Sequence, residues 1–171
     1  PSFIQQLLSY EYRFLNRRLL RLAMKRIMLM GRVACGKTTL CQYLLGEELS
    51  YQKTQTIQIL GDAIDTPGEY VENRALMRGL TVTAVDADVV LFLQDCTDLE
   101  CRFSPGQAAM YGRPVVGVVT KADLAPTPQA LEDGKALLKM AGADPVFCIS
   151  SYTGEGVQEL VDHLEALPAG E

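Results

Sequence analysis

A short stretch near the N-terminal end of the chain contains residue types that can bind phosphate. Residues 31–38 read G-R-V-A-C-G-K-T and match the phosphate-binding pattern G-x-x-x-x-G-K-S/T at every fixed position. Glycines let such a loop curl so that backbone N–H groups face phosphate oxygens, and the following helix adds the positive end of its dipole. Lys37 is expected to reach the β- and γ-phosphates of a nucleotide, and the Thr38 hydroxyl to bind Mg²⁺. The predicted phosphate-binding residues are Gly31, Arg32, Val33, Ala34, Cys35, Gly36, Lys37, Thr38 and Thr39, with Gly68 farther along.

A second motif, D-T-P-G, begins at Asp65 directly after a short apolar run. A carboxylate at a strand end facing a phosphate-binding loop can hold Mg²⁺, directly or through water. The Gly68 N–H can meet the γ-phosphate, because glycine permits a close approach. Without the preceding loop, the same residues would be typical of an ordinary turn.

Two further stretches indicate a guanine site. Thr120-Lys121-Ala122-Asp123 follows an apolar run, and its aspartate can accept hydrogen bonds from the N1 and N2 donors of guanine while the Lys121 stem lies over the base. The GTPase signature at this place is N-K-x-D. Thr120 departs from it, keeping a hydroxyl that can tie loops together but losing the amide. Ser150, Ser151 and Tyr152 open a stretch similar to the S-A-x-T-G-E-G-V segment, whose backbone N–H meets guanine O6.

The elements that position these motifs alternate along the chain. Apolar runs predict strands at 26–30, 55–60, 63–65, 89–93, 115–119 and 146–149, and helical patterns predict helices at 37–45, 73–84, 128–141 and 156–167. The strands at 55–60 and 63–65 are expected to form a short hairpin. This order predicts an α/β fold of the three-layer P-loop NTPase type, with a mostly parallel sheet and helices on both faces.

Composition sets the limits of the function. The chain has 171 residues, enough for one α/β domain, and a formal net charge of −5 that argues against general nucleic-acid binding. No stretch has the ~20 consecutive apolar residues of a membrane-spanning helix. Five cysteines without metal-ligand spacing and the lack of a signal-peptide pattern favour a cytoplasmic protein.

Three stretches carry a resemblance to a known family. These are residues 24–31 (M-K-R-I-M-L-M-G), 51–55 (Y-Q-K-T-Q) and 64–70 (I-D-T-P-G-E-Y). Together with the motifs above, they resemble the ethanolamine-utilisation and propanediol-utilisation family among the translation-factor-related, Era-like small GTPases. The resemblance implies GTP binding with Mg²⁺, slow hydrolysis, and a cytoplasmic setting at or near a bacterial microcompartment.

Two features depart from small GTPases. The gap between Thr38 and Asp65 is short, so the first switch segment must be compact. Thr54 is the candidate switch threonine for Mg²⁺, with Thr56 as its rival. Lys37 and Glu69 are the candidate catalytic residues. Glu69 stands where Ras-type enzymes carry a water-orienting glutamine.

Residues 1–23 are predicted to form an amphipathic helical extension of a P-loop GTPase-like domain at 24–171. One face carries Ile4, Leu8, Tyr12, Leu15, Leu19 and Leu22, and another carries arginines. Such a helix could dock on a microcompartment shell protein. Alternatively, the true start is Met24, where the resemblance begins. In either case, residues 1–23 are expected to be dispensable for nucleotide binding.

Two alternatives to a GTP-dependent switch remain at this point. One is a phosphotransferase acting on a short carboxylate, with a lid arginine supplied by Arg102 or Arg113; the other is a scaffold that uses nucleotide only for stability. The role of Cys35 has two interpretations. Nearby N–H groups and Lys37 would lower its thiol pKa and make it reactive, or it is simply a small residue that the loop tolerates.

Overall fold

The computed structural model describes residues 26–45, 58–60, 63–65, 80–101 and 103–168. Within these residues the strands are β1 (Ile27–Gly31), β2 (Gln58–Leu60), β3 (Ala63–Asp65), β4 (Val89–Asp95), β5 (Val115–Thr120) and β6 (Val146–Cys148). The α-helices are α1 (Lys37–Leu45), α2 (Pro128–Met140) and α3 (Val157–Ala166). Short 3₁₀ turns lie at Ala84–Asp86, Gln107–Met110 and Ala122–Leu124.

The strands form one sheet in the order β2-β3-β1-β4-β5-β6. β2 and β3 are antiparallel, as the predicted hairpin requires, and every other pairing is parallel. β1, β4 and β5 are buried along their whole length, which explains their nearly continuous apolar sequences. The carboxyl ends of the five parallel strands lie along one edge of the sheet, where ligands bind in open α/β sheets.

Hydrophobic side chains pack on both faces of the sheet. On one face, α1 and α3 contribute Leu40, Leu44, Leu160 and Leu164 to a cluster with alternate residues of β1 and β4. On the other face, Leu138 of α2 packs with Leu80, Ala84 and the intervening residues of the same strands. The predicted three-layer architecture is therefore confirmed. Among the described residues, no helix is long and apolar enough to cross a membrane.

Several boundaries differ from the sequence prediction. β4 and β5 continue past their apolar runs to Asp95 and Thr120, because paired strands can extend into polar residues at the sheet edge. α3 begins after Gly156, which has a positive φ and acts as its N-cap. Most of the helix predicted at 73–84 and all of residues 1–23 lie outside the described part of the chain.

Candidate functional site

The phosphate-binding loop connects the end of β1 to the start of α1. Ala34 and Gly36 have positive φ angles of 61° and 97°, which turn the backbone sharply within the loop. Gly31 lies close to β4, since a Cβ at that position would stand 2.8 Å from the Leu93 carbonyl oxygen. The loop therefore has the curled conformation and helix start that phosphate binding requires.

The Lys37 side chain folds back over this loop. It is 6% exposed, and its Nζ donates to the carbonyl oxygens of Gly31 at 2.9 Å and Arg32 at 2.8 Å. The positive charge is thus held at the loop, and no carboxylate among the described residues pairs with it. A phosphate oxygen placed at the loop would meet an ammonium group that is already oriented.

Arg32 ties the loop to the segment that follows β4. Its guanidinium forms ion pairs with Asp98 and, at 3.1 Å, with Glu100. Gln94, which is buried, donates to the carbonyl oxygen of Asp98 and so holds the turn that presents these carboxylates. The side chain of Arg32 is therefore engaged by carboxylates.

Thr120 joins the predicted base-binding segment to the phosphate-binding loop. Its buried hydroxyl donates to the Cys35 carbonyl oxygen at 2.6 Å. The hydroxyl thus makes the kind of tie between loops that we expected of a threonine at this position. Because β1, β4 and β5 are parallel and adjacent in that order, the two segments meet at the same edge of the sheet.

Lys121 follows directly and has a positive φ of 59°. Its Nζ lies 2.5 Å from Oδ2 of Asp95, the last residue of β4. Sequence reasoning missed Asp95, because the apolar run that marked this strand ends at Leu93. No local sequence pattern marks Asp95, because its place beside Lys121 depends on the pairing of β4 with β5.

The remaining base-binding candidates lie in two neighbouring loops. Asp123 is exposed in the 3₁₀ turn after β5, and the Ala122 N–H donates to the Ile149 carbonyl oxygen at 3.0 Å. This bond joins the turn to the loop that contains Ser150, which is fully buried, and Tyr152, which is 75% exposed. Ser150 Oγ accepts a hydrogen bond from the Thr153 N–H at 3.1 Å. Ser151, between them, is partly buried.

The predicted metal-binding residues are only partly placed. Thr38 lies in the first turn of α1, and Asp65 ends β3, where its backbone pairs in register with Leu29 of β1. Both residues therefore lie at the edge of the sheet that carries the phosphate-binding loop. The predictions for Thr54, Thr56, Gly68 and Glu69 fall on residues outside the described ones.

The hypothesis of a reactive Cys35 is wrong. The side chain is 2% exposed, and burial raises the pKa of its thiol, although Lys37 acts in the opposite direction. Loop position alone does not lower a thiol pKa when desolvation disfavours the thiolate more strongly. Cys35 is therefore a buried residue, which agrees with the alternative interpretation of a small residue that the loop tolerates.

Arg113 cannot serve as a lid arginine. It precedes β5, at the edge of the sheet opposite the phosphate-binding loop, and donates to the Val85 carbonyl oxygen at 3.0 Å. The other candidate, Arg102, lies outside the described residues.

Known proteins match this arrangement in sequence and in fold. A sequence profile described as "Ethanolamine utilisation - propanediol utilisation" matches residues 24–166. A relative from Citrobacter freundii, named propanediol utilization protein PduV, is 46% identical over 143 residues, which are 84% of this chain and 95% of the relative. EutP of Escherichia coli K12, named a probable acetate kinase, is 34% identical over 147 residues and covers 84% and 91% of the two chains.

A crystal structure of Era from Aquifex aeolicus bound to GDP·AlF₄⁻ has the same fold. It superposes with a TM-score of 0.55 at 24% identity, covering 85% of this chain and 57% of the Era chain. The fold is thus that of the Era-like P-loop GTPases. The chain belongs to the ethanolamine utilisation–propanediol utilisation family.

Proposed function

We propose that this protein binds GTP with Mg²⁺ and hydrolyses it slowly, in the service of ethanolamine or propanediol utilisation. The observation that supports this most strongly is the hydrogen bond from Thr120 to the Cys35 carbonyl. It joins the phosphate-binding loop to the segment with the candidate guanine-reading aspartate, so that one nucleotide can span both.

At the base end, Asp123 supplies the selectivity. Its exposed carboxylate accepts hydrogen bonds from guanine N1–H and N2–H₂, which adenine cannot offer. The Lys121 stem covers one face of the base, and backbone N–H groups near Ser151 and Tyr152 donate to guanine O6. Adenine would leave the aspartate without its donors.

At the phosphate end, the residues present fit Mg²⁺. A hydroxyl at the start of α1 (Thr38) and a carboxylate residue at the end of β3 (Asp65) are hard oxygen ligands, and phosphate oxygens and water complete such a site. When bound, the ion would neutralise charge on the phosphates. Lys37 and the loop N–H groups hold those phosphates in place.

Slow hydrolysis follows from the catalytic groups. The residue directly after Gly68 is Glu69 and not a glutamine, and its carboxylate would be repelled by the γ-phosphate unless it acts as a base. Of the arginines that the structure describes, Arg32 is held by two carboxylates, while Arg26 and Arg113 lie at the opposite edge of the sheet. None of these three is placed as an arginine finger.

The second candidate is a phosphotransferase acting on a short carboxylate, which is favoured by the name of the relative EutP, a probable acetate kinase. Single-turnover hydrolysis of GTP should proceed at about 10⁻⁴ s⁻¹, the scale of unassisted small GTPases. The rate should not change when acetate or propionate is added, and no acyl phosphate should form. Carboxylate-dependent turnover with acyl phosphate as product would favour the phosphotransferase and contradict a simple GTPase.

The family also suggests a cellular setting. We propose a cytoplasmic protein at a bacterial microcompartment, with residues 1–23 as a docking helix for a shell protein and residues 24–171 as the nucleotide-binding domain. A chain shortened to begin at Met24 should keep its GTP affinity and lose co-sedimentation with shell protein. Loss of GTP affinity would show that residues 1–23 belong to the nucleotide site, and unchanged co-sedimentation would remove their docking role.

A further inference from the structure

We propose that Asp95 is a positioning residue for guanine recognition, which acts by holding Lys121 in the orientation that covers the base. This inference rests on the proposed GTP function and adds a residue outside the nucleotide-binding motifs. Asp95 itself need not touch the nucleotide. Its effect on binding passes through the lysine.

Both carboxylate oxygens of Asp95 are engaged. Oδ2 lies 2.5 Å from Lys121 Nζ, while Oδ1 accepts from the Thr97 N–H at 2.8 Å and from the Thr97 hydroxyl at 2.7 Å. The Asp95 side chain is 12% exposed, against 32% for that of Lys121. The carboxylate is therefore fixed in direction before it meets the ammonium group, and the lysine end of the pair remains open to solvent.

The same short segment supports the backbone of Lys121. Cys96 Sγ lies 3.1 Å from the Lys121 carbonyl oxygen, and the Cys96 N–H donates to the Thr120 carbonyl at 3.2 Å. Lys121 also has a left-handed backbone conformation that non-glycine residues seldom adopt. Residues 95–97 thus hold both the main chain and the side-chain end of this lysine.

The consequence for binding is conformational. A free lysine side chain has several rotatable bonds, and ordering it against a base costs entropy on binding. When its ammonium is already anchored at Asp95, the side chain is ordered before the nucleotide binds, so less entropy is lost on binding. Because the lysine end of the pair is open to solvent, screening weakens what the Lys121 ammonium contributes to folding stability.

The test compares the affinity for the whole nucleotide with the affinity for its triphosphate part alone. Asp95→Asn removes the charge and keeps the size, and we expect its affinity for Mg²⁺–GTP to fall about tenfold. Its affinity for Mg²⁺–tripolyphosphate, which occupies only the phosphate half, should stay unchanged. The matched control is Glu132→Gln, which removes the exposed pair with Lys135 on α2 and should alter neither affinity.

A double-mutant cycle then asks whether Asp95 acts through Lys121. Lys121→Met keeps an unbranched stem without the ammonium, so adding Asp95→Asn to it should cause no further loss of GTP affinity. Additive losses, unchanged GTP affinity in Asp95→Asn, or an Asp95→Asn chain that loses tripolyphosphate binding or its fold would each overturn the proposal. A wild-type chain without preference for GTP over ATP would instead refute the proposed function.

Discussion

Lys37→Ala should abolish measurable GTP binding while the chain stays folded. The variant removes the oriented ammonium group that donates to the Gly31 and Arg32 carbonyls and would meet the β- and γ-phosphates. Charge-assisted hydrogen bonds to phosphate contribute about 1.5–3 kcal/mol each, so losing two lowers affinity about 100-fold or more. Lys37 belongs to neither hydrophobic cluster of the sheet, so we expect its removal to leave the core packed.

Calorimetric titration with Mg²⁺–GTP measures the loss, and circular dichroism with thermal melting reports whether the variant is folded. Lys135→Ala on α2 is the matched control, since it deletes a lysine that pairs with the exposed Glu132 and lies far along the chain from the phosphate-binding loop. The control should bind GTP as the wild type does. A folded Lys37→Ala chain with undiminished affinity would refute the assignment of the phosphate-binding loop.

Asp123→Asn should weaken GTP binding and create binding of xanthosine triphosphate. The carboxylate is the proposed acceptor for two guanine donors, and an amide supplies one donor in place of one acceptor. Xanthine presents a carbonyl oxygen where guanine has its amino group, so the amide matches it. Losing about 1–3 kcal/mol for each unpaired group predicts a decrease in GTP affinity of about tenfold to 100-fold.

Competition binding with GTP, ATP and xanthosine triphosphate measures the exchange of specificity. Asp133→Asn is the matched control, because it makes the same change on α2, where the carboxylate accepts a hydrogen bond from Gln129. The control should keep the wild-type order of affinities. If Asp123→Asn bound all three nucleotides as the wild type does, Asp123 would not read the base.

Much of the fold could be predicted from the sequence because the local signals agree with the final packing. The bounds of α1 were predicted residue for residue, since the phosphate-binding motif fixes its start. α2 was predicted to within one residue, because Pro128 suits the first helical turn; the structure adds Thr127, whose hydroxyl caps it. Buried parallel strands have continuous apolar runs, which made β1, β4 and β5 recognisable.

The properties that sequence reasoning missed depend on packing across the sheet. The place of Asp95 beside Lys121 follows from the pairing of β4 with β5, which no local pattern encodes. The thiol pKa of Cys35 was predicted in the wrong direction, because motif spacing indicates neighbours but not burial. Arg113 lies at the edge of the sheet opposite the phosphate-binding loop because it precedes β5. The presence of an arginine in the sequence does not show at which edge it lies.

Titration of the wild-type protein with GTP and with ATP in the presence of Mg²⁺ measures directly whether the site reads guanine. We expect GTP to bind about 100-fold more tightly than ATP, or better, because adenine leaves Asp123 without its two donors. Equal affinities for GTP and ATP would show that Asp123 does not select guanine, and would favour a phosphotransferase that has no need to distinguish the bases.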